Sequence, residues 1–159
     1  MGNSFVGAPI WLASEPCPNA KRDNDQMSDT RAAAARWAST WQRCWEALDA
    51  DHIVALYADD ATYSSQPFRE VYRGRAGVRE YVAGAFADES DVRAWFGEPV
   101  VDGDRAAVGW WAALREAGQQ VTLAGTSTLR FDANGLVSDQ WDAWNMTVGR
   151  TEPPGGWGR

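Results

Sequence analysis

A chain of 159 residues fits one domain, and 45% hydrophobic with 23% charged residues is the composition of an ordinary soluble globular fold. The net charge of −7 and a pI near 4.6 argue against nucleic acid and anionic membrane surfaces as partners, since both call for basic patches. Ten tryptophans point to a broad aromatic core or pocket, because each ring buries a large surface and seeks a partner for its N–H.

No apolar run approaches the roughly 20 residues a membrane helix needs. "GAPIWLA" at 7–13 is short and lacks a basic stretch ahead of it, and "MGNSFV" has Val6 where a myristoylation signal needs Ser or Thr. A cytoplasmic protein is therefore expected. Cys17 and Cys44 are too few and too far apart for a zinc site or a disulfide framework, and His52 is the only histidine. No metal and no organic cofactor is expected.

Residues 1–27 mix Gly, Pro, Asn, Asp and Ser without periodicity and read as a loose arm ahead of a domain spanning 28–148. Ser28, Asp29 or Thr30 is expected to cap a first helix, continued by "RAAAARW". Trp37, Trp41, Trp45 and Leu48 share one face of it, as core or as the wall of a ligand cavity. A short helix "DHIVALYA" follows with Asp51 as its cap, and Asp59 and Asp60 read as turn formers behind it. "ATYSS" (61–65) and "EVYR" (70–73) are short strands around a "QPF" turn. "RAGVREYVAGAF" after Gly74 is a third helix with Val78, Val82 and Phe86 inward.

Beyond Asp88 the period becomes two. "DVRAWFGEPVV", "RAAVGWWAALR", "VTLAGTSTLRF" and "LVSDQWDAWNMTV" are separated by the turns "DGD", "EAGQQ" and "DANG". Such spacing is a meander of antiparallel hairpins, and helices followed by a meander is the α+β arrangement. Residues 149–159 form an irregular tail whose Trp157 is able to pack back onto the domain.

Alternation assigns faces strand by strand. Ala106, Val108, Trp110, Ala112 and Leu114 form one apolar face; Val121, Leu123, Gly125, Ser127, Leu129 and Phe131 form another. The last strand does not separate. Its even set is Leu136, Ser138, Gln140, Asp142 and Trp144, its odd set Val137, Asp139, Trp141, Ala143 and Asn145. Alternation leaves the direction of Asp142 open.

"DHIVALYADDATYSS", "VYRGRAGVREYV" and the "GLV" ahead of the final aromatic strand resemble the nuclear transport factor 2-like superfamily. The likeness covers about residues 31–147 and is nearest to the bacterial SnoaL-like (polyketide cyclase-like) branch. It implies a cone, in which a curved mixed or antiparallel sheet wraps the N-terminal helices and leaves a pocket at its open end. It also implies isomerase, cyclase or dehydratase chemistry without a cofactor on a small, largely apolar or polycyclic molecule. A non-catalytic binding protein, or a scaffold that pairs as a homodimer through the outer sheet face, is the alternative. Trp95, Trp111 and Trp141 would then form the pairing patch.

By motif, the acid–base residues of ketosteroid isomerases fall near Ser65, Ser127 and Cys44, where no base or proton donor of that kind stands. The first Arg and Asp of limonene epoxide hydrolases fall on Trp110 and Ala112, but their last-strand Asp falls on Asp142. The resemblance thus turns the even face inward and marks Asp142 as a candidate catalytic residue, and Tyr63, a phenol in reach of such a cavity, is the second. Trp37, Trp41, Tyr57, Trp110, Ser127, Gln140 and Trp144 are the candidate pocket residues, and Tyr72 is a further phenol in reach. The residues alone equally allow Asp142 a structural role, accepting an indole N–H or pairing with Arg69, Arg73, Arg75 or Arg79.

Overall fold

The computed structural model describes residues 20–159, with side chains from Asp29 onward. Most of the arm expected over 1–27, and Cys17 with it, lies outside the described residues. Helix α1 (Ala20–Ala47) begins eight residues before Ser28, so the expected caps lie inside it. No Pro or Gly stands between Pro18 and the end of α1, and Ala20, Lys21, Arg22, Gln26 and Met27 are good helix formers.

Trp37, Trp41 and Trp45 are buried on the inner face of α1 with Ala33, Ala34 and Cys44. Three such rings remove roughly 600 Å² from water, an upper bound of about 15 kcal/mol before entropy. Leu48 does not join them. It follows the helix at φ +55, its N–H on Trp45 O (3.1 Å) and the Asp49 N–H on Cys44 O (2.8 Å). These two bonds are a Schellman cap, which turns Leu48 outward, 38% exposed.

The cap of α2 (Ala50–Val54) is Asp49 rather than Asp51: its side chain accepts the His52 N–H at 3.2 Å. Two residues later β1 (Tyr57–Ser64) starts, so Asp59 and Asp60 are exposed strand residues, not turn formers. Arg75 explains why. Its Nε donates to Tyr57 O at 2.6 Å and its Nη1 pairs with Asp59 at 3.1 Å, which ties this stretch to helix α3 (Gly74–Ala87). Between them lies β2 (Val71–Arg73), antiparallel to β1.

The run "DVRAWFGEPVV" divides into β3 (Glu89–Phe96) and β4 (Val100–Asp102), because Gly97–Pro99 cannot hold a ladder where Pro99 has no N–H. Both pair antiparallel with β5 (Arg105–Glu116), which pairs with β6 (Gln119–Phe131), which pairs with β7 (Val137–Val148). β7 lies parallel to β1, so the seven-stranded sheet is mixed and runs β2-β1-β7-β6-β5-β3, with β4 also on β5. It is curved and does not close, and α1 and α3 pack on its inner face. The expected α+β cone is the observed fold.

Leu114, Val121, Val137, Val108, Ile53 and Val78 are fully or almost fully buried between sheet and helices. Among the described residues no helix is long and apolar enough to cross a membrane.

One irregularity sets the inner face of β7. Arg130 pairs with Asp139 but Phe131 pairs with Val137, leaving Ser138 as an extra residue. A bulge of one residue shifts the alternation by one. Val137, an odd residue, is therefore inward before the bulge, while Gln140 and Asp142 are inward after it, at 1% and 4% exposure.

Candidate active site

The inner face of β7, the helix face of tryptophans and α3 enclose a cavity of about 240 Å³. Asp142 stands on its wall, directly opposite Ser127 on β6. The bulge at Ser138 aims it there.

Asp142 Oδ2 accepts from the Tyr63 hydroxyl at 2.8 Å, and both its oxygens accept from Gln140 Nε2, at 3.0 and 3.2 Å. Gln140 is held in turn. The Tyr57 hydroxyl donates to its Oε1 at 2.5 Å, and Trp41 Nε1 donates to the Tyr57 oxygen at 3.3 Å. This fixes the Gln140 amide so that its N–H groups face the acid. Ser127 Oγ accepts from Trp110 Nε1 at 3.1 Å, which leaves its hydroxyl proton available to Asp142. Burial pushes the Asp142 carboxyl up to about 6, against the smaller opposing effects of Ser127, Tyr63 and Gln140. Among the described residues no arginine pairs with it: Arg75 pairs with Asp59 and Arg79 with Asp51.

The tyrosines around the acid are held protonated. Burial raises Tyr63 well above the ordinary phenol range, and the Asp142 charge raises it further. Burial pushes Tyr81, whose ring meets Tyr63 edge-on at 4.8 Å, up to about 12. Tyr63 is thus a fixed hydrogen-bond donor beside a carboxyl that can change its charge.

Aromatic rings make most of the remaining wall. Trp37, Trp41 and Trp45 come from α1, Trp110 from β5 and Trp144 from β7, with Trp45 meeting Trp110 edge-on at 5.6 Å. Gly125 sits between Trp110 and Trp144 in the cross-strand row. A Cβ there would meet Trp144 Cβ at 2.5 Å, Ala143 O at 2.6 Å and Trp110 Cζ2 at 2.9 Å, so only glycine admits both rings. Trp144 Nε1 is anchored on Ser65 O at 2.6 Å.

A family model described as the SnoaL-like domain matches residues 28–140. The chain belongs to the SnoaL-like family. No curated protein sequence matches it. Among solved structures, this SnoaL-like chain is similar to the epoxide hydrolase/cyclase-like enzyme SalBIII, described for pyran ring formation in the polyether salinomycin. The match has 20% identity and a TM-score of 0.64, and covers 77% of this chain and 97% of that one. It is also similar to RV0760c from Mycobacterium tuberculosis, at 21% identity and a TM-score of 0.65, over 75% of this chain and 98% of that one. At such identities the likeness is one of fold, and the nuclear transport factor 2-like architecture is shared.

Eight of the nine site residues expected from the sequence of this SnoaL-like chain meet at the cavity: Asp142, Tyr63, Trp37, Trp41, Trp110, Ser127, Gln140 and Trp144. Tyr57 does not. It is fully buried behind Gln140 and positions that side chain rather than forming the wall. Tyr72 also stays off the wall and packs against Tyr81, the rings tilted and 5.2 Å apart.

Trp45, Tyr81 and Glu89 are among the wall residues outside the expected site. Trp45 shares the Trp37/Trp41 stripe, which the sequence left open between core and cavity wall. Tyr81 flanks the Val78/Val82/Phe86 stripe of α3, where a helical wheel gives it an intermediate position. Glu89 left no signal, since an acid after Asp88 reads as the end of a turn. In the fold, Trp45 Nε1 donates to Glu89 Oε2 at 2.6 Å, and burial pushes the Glu89 carboxyl up to about 7, with the Glu116 charge adding to the rise.

The outer face of the sheet is partly occupied by the chain's own tail. Trp111, cross-strand from Trp95, donates from Nε1 to Thr151 O at 2.7 Å and meets Trp157 edge-on at 6.3 Å. The tail over 149–159 thus packs back through Trp157, and Trp111 is half-buried while Trp141 stays 45% exposed. Among the described residues no group of three His, Cys, Asp or Glu could hold a metal ion.

Proposed function

We propose that this SnoaL-like protein is an acid/base enzyme of isomerase, cyclase or dehydratase type, acting without a cofactor on a small, largely apolar molecule. One observation carries the reading. Asp142 is a 4% exposed carboxyl on the wall of an aromatic cavity, oriented by Tyr63 and Gln140 and raised to about 6. A group poised near neutrality exchanges protons with least penalty in either direction. In this reading Asp142 takes a proton from one carbon or oxygen of the ligand and returns it to another. The Tyr63 and Ser127 hydroxyls polarise or steady an oxygen, and the tryptophans hold the hydrocarbon and exclude water.

The test is a turnover screen with polyketide-, terpenoid- and steroid-like ketones and epoxides, followed by Asp142→Asn on any substrate found. A general acid/base contributes about 10²–10⁴-fold, so a loss of that size with the fold retained is expected. Full activity of Asp142→Asn would overturn the assignment.

A second reading, a binding protein without turnover, is favoured by one specific feature. The inward positions of β5 nearest the acid carry Val108, paired with Ser127, and Trp110, so no second carboxyl stands beside Asp142 on that strand. Ligands that quench tryptophan fluorescence saturably and are recovered unchanged support it. Pairing of two chains through the outer sheet face fits either reading, and would use the exposed Trp141 and Val100 rather than Trp111.

A further inference from the structure

Every charged group on the cavity wall is an acid. Asp142 lies among buried residues at the floor. Glu89 and Glu116 face each other across β3 and β5 at the mouth, where Glu116 is exposed and Glu89 half-buried. Eight residues of β5 separate the mouth row from the floor row, since Glu116 pairs with Glu89 and Val108 with Ser127, which faces Asp142. Among the described residues the wall carries no Lys, Arg or His.

Like charges directly opposite one another in a sheet repel. The nearby arginines do not relieve this pair: Arg93 goes to Glu46, Arg150 to Asp91, and Arg115 to the Gly118 carbonyl. The partner of Glu89 is instead an indole N–H, that of Trp45, which binds only Oε2. The other oxygen accepts no bond from the described residues. The acids do not stand alone, because they end a 240 Å³ cavity walled by indole rings, Trp45 itself among them. Aromatic faces attract cations through the ring quadrupole. Carboxylates and indoles together therefore favour one sign of charge at the mouth, and a neutral ligand gains from only one of the two.

We infer that Glu89 makes the cavity selective for a ligand bearing one basic nitrogen, with the protonated amine at the mouth on Glu89 and an apolar ring system reaching toward Asp142. Glu116 adds a second attraction from the rim. The inference rests on the reading of the cavity as a ligand site and narrows the ligand class. It makes Glu89 a specificity-determining residue and leaves proton transfer to Asp142.

Calorimetric titration with naphthylethylamine and naphthylethanol, which differ only in the basic group, tests this on wild type, Glu89→Gln and Asp142→Asn. At pH 8 the amine is expected to bind on the order of tenfold more tightly than the alcohol. That preference should vanish in Glu89→Gln, the amine losing far more affinity than the alcohol, and survive in Asp142→Asn. Wild type should also lose the preference as the pH is lowered to 5. The groups facing Glu89 are the uncharged Trp45 from α1, Tyr81 from α3 and Glu116 from β5, and Glu89, raised to about 7, loses its charge in that interval. Asp142, raised to about 6, loses its charge there too, so the pH series is repeated on Asp142→Asn, where the same loss of preference is expected. These measurements need no Glu89 variant, should Glu89→Gln not fold. Equal affinity for the two probes in wild type, or a preference that survives Glu89→Gln or the drop in pH, overturns the inference and leaves the cavity a neutral-ligand site. Binding of neither probe overturns the inference and counts against the ligand-site reading as well.

Discussion

The Tyr63 hydroxyl donates to Asp142 Oδ2 at 2.8 Å, joining β1 to β7 across 79 residues of sequence. This bond stabilises the ionised form of Asp142, because a phenol can donate but the carboxylate can only accept. Tyr63→Phe is therefore expected to raise the Asp142 titration above about 6, by up to about one pKa unit for a bond worth about 1 kcal/mol. Carbon-detected NMR titration of the carboxyl checks it. A midpoint below that of wild type would show that the tyrosine does not support the charge.

Two buried carboxyls make stability depend on pH with a definite sign. Asp142 is raised from 3.8 to about 6 and Glu89 from 4.5 to about 7. Between the unfolded and folded values the folded chain holds more protons, so stability falls as pH rises from about 4 to about 7. For Asp142 the difference corresponds to on the order of 3 kcal/mol. Urea denaturation at pH 4.5 and pH 8 should show wild type losing stability across this range, and Asp142→Asn losing distinctly less.

Gly125 is the position at which a single methyl does most harm to the cavity. Its Cβ would lie 2.6 Å from the Ala143 carbonyl and 2.5 Å from Trp144 Cβ, neither of which is the far end of a flexible side chain. Gly125→Ala is expected to destabilise by about 1–3 kcal/mol and to shift the Trp110 and Trp144 rings. Chemical denaturation gives the first effect, and the near-ultraviolet circular dichroism of the tryptophans gives the second.

The tail screens an outer aromatic face. Trp157→Ala removes the ring packed against Trp111, which then joins the exposed Trp141 and the half-buried Trp95 as outer aromatic surface. A loss of about 1 kcal/mol is expected, consistent with one edge-to-face pair. Stronger self-association than wild type at equal concentration should accompany it in sedimentation velocity.

Much of this protein was legible in the residues themselves. Local rules produced the tryptophan face of α1, the stripe of α3, the inward sets of β5 and β6, and the hairpin turns, because spacing, turn chemistry and apolar period act within a few residues. The strand bearing Asp59 and Asp60 was not legible, since it depends on Arg75 reaching back 18 residues to Tyr57. Glu89 became a site residue only when β3 was laid beside β5 and under Trp45.

Asp142 divides the two kinds of information most sharply. Sequence alone placed an acid between two tryptophans on a strand whose alternation points neither way. Its direction was decided by the pairing of β7 with β6, where Ser138 is left over and every residue after it changes face. Whether a strand bulges depends on the register its neighbour imposes. That register belongs to two segments brought together by folding, and neither segment carries it alone.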